Sequence, residues 1–332
     1  MRIVSFLILL YSVLLGAELK IATYNVENLF DLHKNGSEYK EYIPYTKSRW
    51  NKKTYAVKLH NIARVIKDIN ADIIALEEVE SLQALKDLRY TLKKKGLYYP
   101  YYKIANLKQT TVKVALLSKI PFIYAREIAV TSSYEYRNIL EVKYKLNNEE
   151  LYLLINHWKS KAGPESMRIV SAKVIKKRIQ ELGYDKNIIV LGDFNSHYEE
   201  YKIFQRKRKH NDTNGITGIN HILGTIENQV PANLADVDDG KLYNLWYDLP
   251  REQRYTYIYK KKKEALDSIL VTRSLLDKKG IDYIPHTIHN FSPSYLFKKK
   301  HIYRWQMSWR KPRKHYAKGY SDHLAVIASF SY

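Results

Sequence analysis

The sequence predicts a mixed α/β (α+β) fold in one domain, and three observations carry that expectation. Strand-like apolar runs alternate with helical periodicity in the first third of the chain. Further strand-like runs then cluster, joined by short polar connections that make them antiparallel neighbours. No Gly/Ser/Pro-rich linker divides the chain, and 45% hydrophobic residues can supply a substantial core.

In order, residues 19–25 read as a strand and 31–51 as a long polar loop. Ala56, Leu59, Ile62, Ala63, Ile66 and Ile69 fall at helical spacing on one face. Residues 72–79 form an apolar run suited to a buried strand, ending on Glu77 and Glu78. Ser81 is placed to cap a second amphipathic helix carrying Leu82, Leu85, Leu88 and Leu92. Strands are expected over 112–117, 127–131, 139–144 and 151–156, a helix over 165–182, and a strand over 188–191. Runs at 255–259 and 265–271 flank Lys260 to Lys263 in the pattern of a hairpin with a basic tip, and 324–330 is the last strand.

At the N-terminus, Arg2 precedes an apolar run over 3–15, and Leu15-Gly16-Ala17 places small residues before Glu18. That order predicts a secretory signal peptide over 1–17 and a folded domain over 18–332. The run is shorter than the roughly 20 residues of a membrane span. After cleavage the chain is expected to be soluble, with no stable membrane anchor, and exported to the periplasm or secreted. Cysteine is absent, which excludes disulfides and a lipid-bearing N-terminal cysteine.

Lys and Arg number 56 against 34 Asp and Glu, a net charge of +22 that is extreme for an enzyme of small neutral substrates. Such a field attracts polyanions. Nucleic acid, anionic lipid and surface polysaccharide all satisfy charge alone. The 30 Tyr against 8 Phe add amphipathic rings able to stack on bases or sugars. Between Asp282 and Asp322 no acidic residue occurs, while lysines and arginines interleave with Tyr303, Trp305, Trp309 and Tyr316.

Polar and acidic residues recur where the apolar strands end, and a carboxylate there is costly unless it meets a partner or a cation. The segments Thr23-Tyr24-Asn25-Val26-Glu27-Asn28, Leu76-Glu77-Glu78-Val79, Asn156-His157, Gly192-Asp193-Phe194-Asn195, Leu266-Asp267-Ser268-Ile269-Leu270 and Ser321-Asp322-His323 follow one motif order. From about Leu19 to Phe330 the chain resembles the DNase I-like endonuclease/exonuclease/phosphatase family, in particular its secreted bacterial nuclease branch. The resemblance implies a four-layer α/β/β/α sandwich, with two mainly antiparallel sheets packed face to face under outer helices. It also implies a metal-dependent phosphodiesterase.

By resemblance, Glu78 is the principal metal ligand, with Asn25, Glu27 and Asp322 beside it. An all-oxygen set suits Mg²⁺ or Mn²⁺ better than zinc. Glu77 stands where the family usually has Gln and is expected on the other side of its strand, because successive side chains alternate. Asp193 would orient or deprotonate the attacking water, and Asn195 would donate to the phosphate. Asp267 would hold His323, fixing its tautomer and raising its basicity. His157 would donate to a phosphoryl oxygen or serve the leaving group; which histidine is acid and which base stays open. Arg137 and Asn138 correspond to phosphate contacts, and Lys159 and Lys161 would add positive charge there. Arg304 and Trp305 complete the candidate substrate-binding set. His60, His210 and His315 are expected at the surface.

The scaffold does not fix the substrate. Net charge, the basic aromatic segment and the lysine-tipped hairpin favour DNA, with RNA as a further substrate and little sequence preference. A lipid-headgroup or phosphoinositide phosphodiesterase is the alternative. A sphingomyelinase would carry an exposed apolar hairpin, which the sequence lacks. A polyanion binder without catalysis conflicts with the intact acidic and histidine motifs. A monomer is expected.

Overall fold

The computed structural model describes residues 17–204, 210–228, 230–232 and 240–332, so all of the expected signal peptide except Ala17 lies outside the described residues. Strand β1 (Glu18–Leu29), helix α1 (Lys52–Ile69) and strand β2 (Ile73–Val79) make one unit in which the two strands are parallel. A parallel pair needs a long crossover, and α1 provides it. Helix α2 (Leu82–Lys94) follows, then β3 (Tyr101–Ile104) and β4 (Lys113–Ser118), which extend the sheet antiparallel beyond β2. The terminal strand Val326–Ser331 closes its other side against β1.

The second sheet repeats this plan. Strands β5 (Tyr124–Ile128), β6 (Ile139–Leu146) and β7 (Glu149–His157) form a meander. Helix α3 (Glu165–Leu182) then crosses to β8 (Asn187–Asp193), parallel to β7, and strand Asp267–Val271 pairs antiparallel to β8. Three buried clusters hold the four layers together. Ile21, Ala75 and Leu116 from the first sheet meet Leu153, Leu191 and Ile269 from the second. Tyr24 and Leu76 pack against Ile62, Ile66 and Leu88 of α1 and α2, while Leu154 and Val190 pack against Ile175 and Ile179 of α3. This is the expected α/β/β/α sandwich.

Local chemistry places the helices. Asn51 accepts from the Lys53 and Thr54 amides in a capping box that starts α1, and Ser81 Oγ accepts from the Ala84 amide (3.0 Å) to start α2. Ala56 and Leu82, expected on apolar faces, are exposed; Lys58 is buried instead, donating to the Tyr320 carbonyl at 3.0 Å. The strand expected at 127–131 lies three residues earlier, because β6 begins at Ile139, opposite Ile128, and leaves 129–131 no ladder partner. The expected hairpin is a separate ribbon, Tyr257–Tyr259 with Lys262–Glu264, so only Lys260 and Lys261 form its turn. No helix among the described residues is long and apolar enough to cross a membrane.

Candidate active site

Central strands of both sheets end along one edge. The register sets Asn25 beside Glu77, His157 beside Asp193, and Asp193 beside Asp267. There a cleft of about 590 Å³ is lined by Glu78, His157, Asp193, Asn195, Asp322 and His323, with Arg137, Lys161, His210 and Tyr257 among its walls.

Four residues other than glycine have left-handed backbone here: Glu27 (φ 50°), Asn28 (61°), Glu78 (63°) and Asn195 (48°). Such conformations persist only where the surroundings enforce them. At Glu78 the consequence is direct. Leu76 packs under the helices and Glu77 faces between the sheets, so plain alternation would turn Glu78 toward the helices. The left-handed turn and a shift in the β2–β4 register after Leu76 bring it into the cleft instead. Glu77 lies buried below, accepting from Thr23 Oγ1 at 2.7 Å, and burial followed by Asp267 holds its pKa well above the usual carboxylate range.

One amide ties the two halves of the site together. Asn25 Nδ2 donates to Asp193 Oδ2 at 3.0 Å and to Glu78 Oε1 at 3.3 Å. Asp193 also accepts from the Asn195 backbone N–H (2.8 Å) and Nδ2 (3.2 Å). Burial, then the Asp267 charge, pushes Asp193 up to about 7, against the pull of His323. Asp267 Oδ2 and His323 Nδ1 are 2.7 Å apart. Burial opposes a charge on His323, but Asp267 and this hydrogen bond outweigh it and hold the imidazole protonated.

His157 is the opposite case. Its Nε2 stands 3.5 Å from Asp193 Oδ2 and 3.9 Å from Glu78 Oε1, and its buried Nδ1 has no partner. Burial, then the cations Arg137 and His323, drives its pKa well down, so this imidazole is neutral. Two buried histidines in opposite charge states therefore share one cleft with a carboxyl group that titrates near neutrality.

Residues 20–331 match the family described as Endonuclease/Exonuclease/phosphatase family. The chain belongs to this family. No curated protein sequence matches it. Similar solved structures include TDP2 of D. rerio complexed with a single-strand DNA product, at 15% identity, TM-score 0.59, and 95% of this chain against 100% of that one. Truncated TDP2 of Caenorhabditis elegans is 15% identical with TM-score 0.56, covering 95% and 98%. A mannosyl-6-phosphatase of Bacteroides thetaiotaomicron is 14% identical with TM-score 0.56, covering 95% and 100%. At such identities the likeness is one of fold.

The family is one of divalent-metal-dependent phosphoesterases, and two donor groups in the cleft invite comparison with that chemistry. Asn25, expected among the ligands, turns its Nδ2 toward Glu78 and Asp193 and commits its Oδ1 to the Glu27 backbone N–H (3.0 Å), which leaves the carboxylates Glu78 and Asp322, with burial and then Asp322 raising the Glu78 carboxyl pKa. Two such carboxylates suit a hard cation, with Asp322 Oδ2 also in contact with Arg304 at 3.0 Å. The donor atoms of Asp193, Asp267 and His323 also lie within 4.8 Å of one another. There His323 Nδ1 is committed to Asp267, which makes the group a proton-handling pair rather than a cage.

Six further expected site residues, Glu27, Arg304, Trp305, Asn138, Lys161 and Lys159, are engaged with the protein itself. Glu27 is not free for a cation: Arg304 Nε reaches its Oε1 at 2.9 Å and the Trp305 amide its Oε2 at 3.0 Å. Arg304 in turn pairs with Asp322 at 3.0 Å. Trp305 is only 2% exposed and packs edge-on against Trp50 in the core, so it offers no face to a substrate. Asn138 is buried and donates to Glu127 Oε2 (2.9 Å), away from the cleft. Lys161 lines the cleft but is neutralised by Glu200 (2.8 Å) and Glu264 (3.0 Å), and Lys159 pairs with Glu135 (3.1 Å). Arg137 does line the cleft, held through the Trp158 carbonyl at 3.1 Å. Of the histidines expected outside, His60 is exposed, half-buried His210 lines the cleft, and His315 is buried.

Proposed function

We propose that this family member is an exported nuclease that uses Mg²⁺ or Mn²⁺ to hydrolyse DNA phosphodiesters, and RNA as a further substrate, with little sequence preference. The observation that carries the reading is the trio in the cleft: neutral His157, protonated His323, and between them Asp193 with a pKa of about 7. Glu78 and Asp322 would hold the cation, which when bound supplies charge to the phosphoryl oxygens. Asp193 can accept a proton from water near neutral pH, its carboxylate fixed by the amides of Asn25 and Asn195. His323, held at Nδ1 by Asp267, keeps its other N–H for the negative charge of the phosphate or the leaving oxygen. Neutral His157 adds a hydrogen bond without adding charge. Export is read from Arg2, the apolar run after it and the small residues before Glu18.

The test is incubation of the mature protein with plasmid DNA, RNA and phosphoinositides, with Mg²⁺ or Mn²⁺ and then with EDTA. DNA should be cut with metal and spared with EDTA; DNA intact under both metals overturns the reading. His157→Ala and Asp193→Ala should each abolish cutting while DNA binding is kept, and full activity in either removes the site assignment.

A further inference from the structure

Two β-ribbons stand beside the cleft, outside both sheets. One pairs Tyr257–Tyr259 with Lys262–Glu264; the other pairs Phe297–Lys298 with His301–Ile302. Each is closed by a two-residue turn, and both turns are Lys-Lys with left-handed backbone: Lys260 (φ 46°), Lys261 (69°), Lys299 (51°) and Lys300 (65°). Such turns normally draw Asn-Gly or Asp-Gly, because positive φ costs other residues roughly 1 kcal/mol or more each. Turn geometry alone therefore selects against lysine at all four positions. A benefit from charge at the tips does not.

The tip lysines also differ from Lys161 in the cleft wall and its neighbour Lys159. Lys161 and Lys159 are matched by carboxylates. The four tip lysines are exposed, and among the described residues none of them is in an ion pair. The ribbons adjoin, since Tyr257–Tyr259 lies against His301–Ile302. Tyr257 forms a β-bridge with His323, so the first ribbon starts at the reacting centre. The second opens into a basin of about 360 Å³ lined by Lys298, Tyr303, Gln306, Tyr316 and Lys318. Cations and aromatic rings along one path suit a phosphate backbone and its bases.

Resting on the nucleic-acid reading above, we propose that the Lys260-Lys261 and Lys299-Lys300 turns form a second phosphate-binding site. This exosite grips a polynucleotide backbone some nucleotides away from the phosphodiester in the cleft, and so favours long chains over short ones.

The test is the quadruple variant Lys260→Asn, Lys261→Gly, Lys299→Asn and Lys300→Gly, which removes the charges while installing the preferred turn residues, so the fold is kept. Binding of a long single-stranded oligonucleotide is measured over a salt series in EDTA. The slope of log K against log salt should fall by roughly 3, from about 0.7 to 0.9 per lost phosphate contact. With metal present, KM for polynucleotide should rise while hydrolysis of bis(p-nitrophenyl) phosphate, which occupies the cleft alone, is unchanged. An unchanged salt slope overturns the proposal. So does lost binding to phosphatidylserine vesicles with nucleic-acid binding intact, which would assign the turns to a membrane surface. If the parent protein cuts no nucleic acid, the proposed activity fails, yet the binding slopes still decide the exosite.

Discussion

Arg304 holds Glu27 in a two-point contact, its Nε 2.9 Å from Oε1, while its Nη2 reaches Asp322 at 3.0 Å. Glu27 is buried, and burial followed by the Asp322 charge lifts its pKa to about 7 even with the guanidinium present. Removing the cation leaves a buried carboxylate facing a second one. Arg304→Met is expected to lose about 2 kcal/mol of stability, and Glu27→Gln with Arg304→Met to regain most of it. Denaturant unfolding of the two singles and the double reads the coupling, and strictly additive effects would remove it. In activity the two carboxylates should separate: Glu78→Gln should abolish cutting, and Glu27→Gln should leave much of it.

The Asp267–His323 pair predicts a pH effect. The carboxylate keeps the native imidazole charged above its ordinary range, so activity that needs this proton should decline only at high pH. Asp267→Asn removes that support, and the alkaline limb should move to lower pH, with kcat reduced about 10²- to 10⁴-fold. A pH–rate profile checks the direction; an unmoved alkaline limb would separate His323 from the proton step.

Where the sequence was legible, the reason was a local rule with one answer. Ser81 caps α2 because its side chain reaches the free amide of Ala84 just ahead, and apolar periodicity set most of the buried faces of α1 and α2. Motif order placed Asp193, Asp267 and His323 together although 130 positions separate the first from the last in the chain. Glu78 was assigned by likeness, not by spacing, since no periodicity reports the left-handed φ that turns it into the cleft. Trp305 and His315 were illegible for a different reason: a basic aromatic segment has the same composition whether its rings stack on bases or on Trp50. Lys58 escaped notice because its partner, the Tyr320 carbonyl, lies far along the chain.

Gly192 couples the strands that carry the two halves of the site. It sits at φ 132° opposite Asn156, and a methyl group there would stand 2.0 Å from the Asn156 carbonyl oxygen. Both atoms in conflict are fixed by the β7–β8 ladder, so a rotamer change cannot relieve them. Gly192→Ala should cost about 3 kcal/mol or more and should separate His157 from Asp193. Its Tm and its kcat at a temperature where it remains folded should both fall; native values for both would show that the ladder yields freely.

The buried His315 gives the protein an acid limit of its own. Its Nδ1 accepts from Trp305 Nε1 at 2.8 Å, and its Nε2 donates to the Glu41 carbonyl at 2.9 Å. The neutral ring satisfies both contacts, whereas a proton on Nδ1 would face the indole N–H. Burial pulls this pKa down to about 4. Because the folded value lies below the unfolded one, the stabilisation is complete above about pH 6.5 and is lost as pH falls toward 4, by about 3 kcal/mol. His315→Gln cannot take up that proton, so the Tm of the variant should fall less steeply than that of the parent between pH 6.5 and 4. Parallel Tm curves would place the acid sensitivity elsewhere, with His197, whose pKa burial lowers to about 3, the next group to substitute.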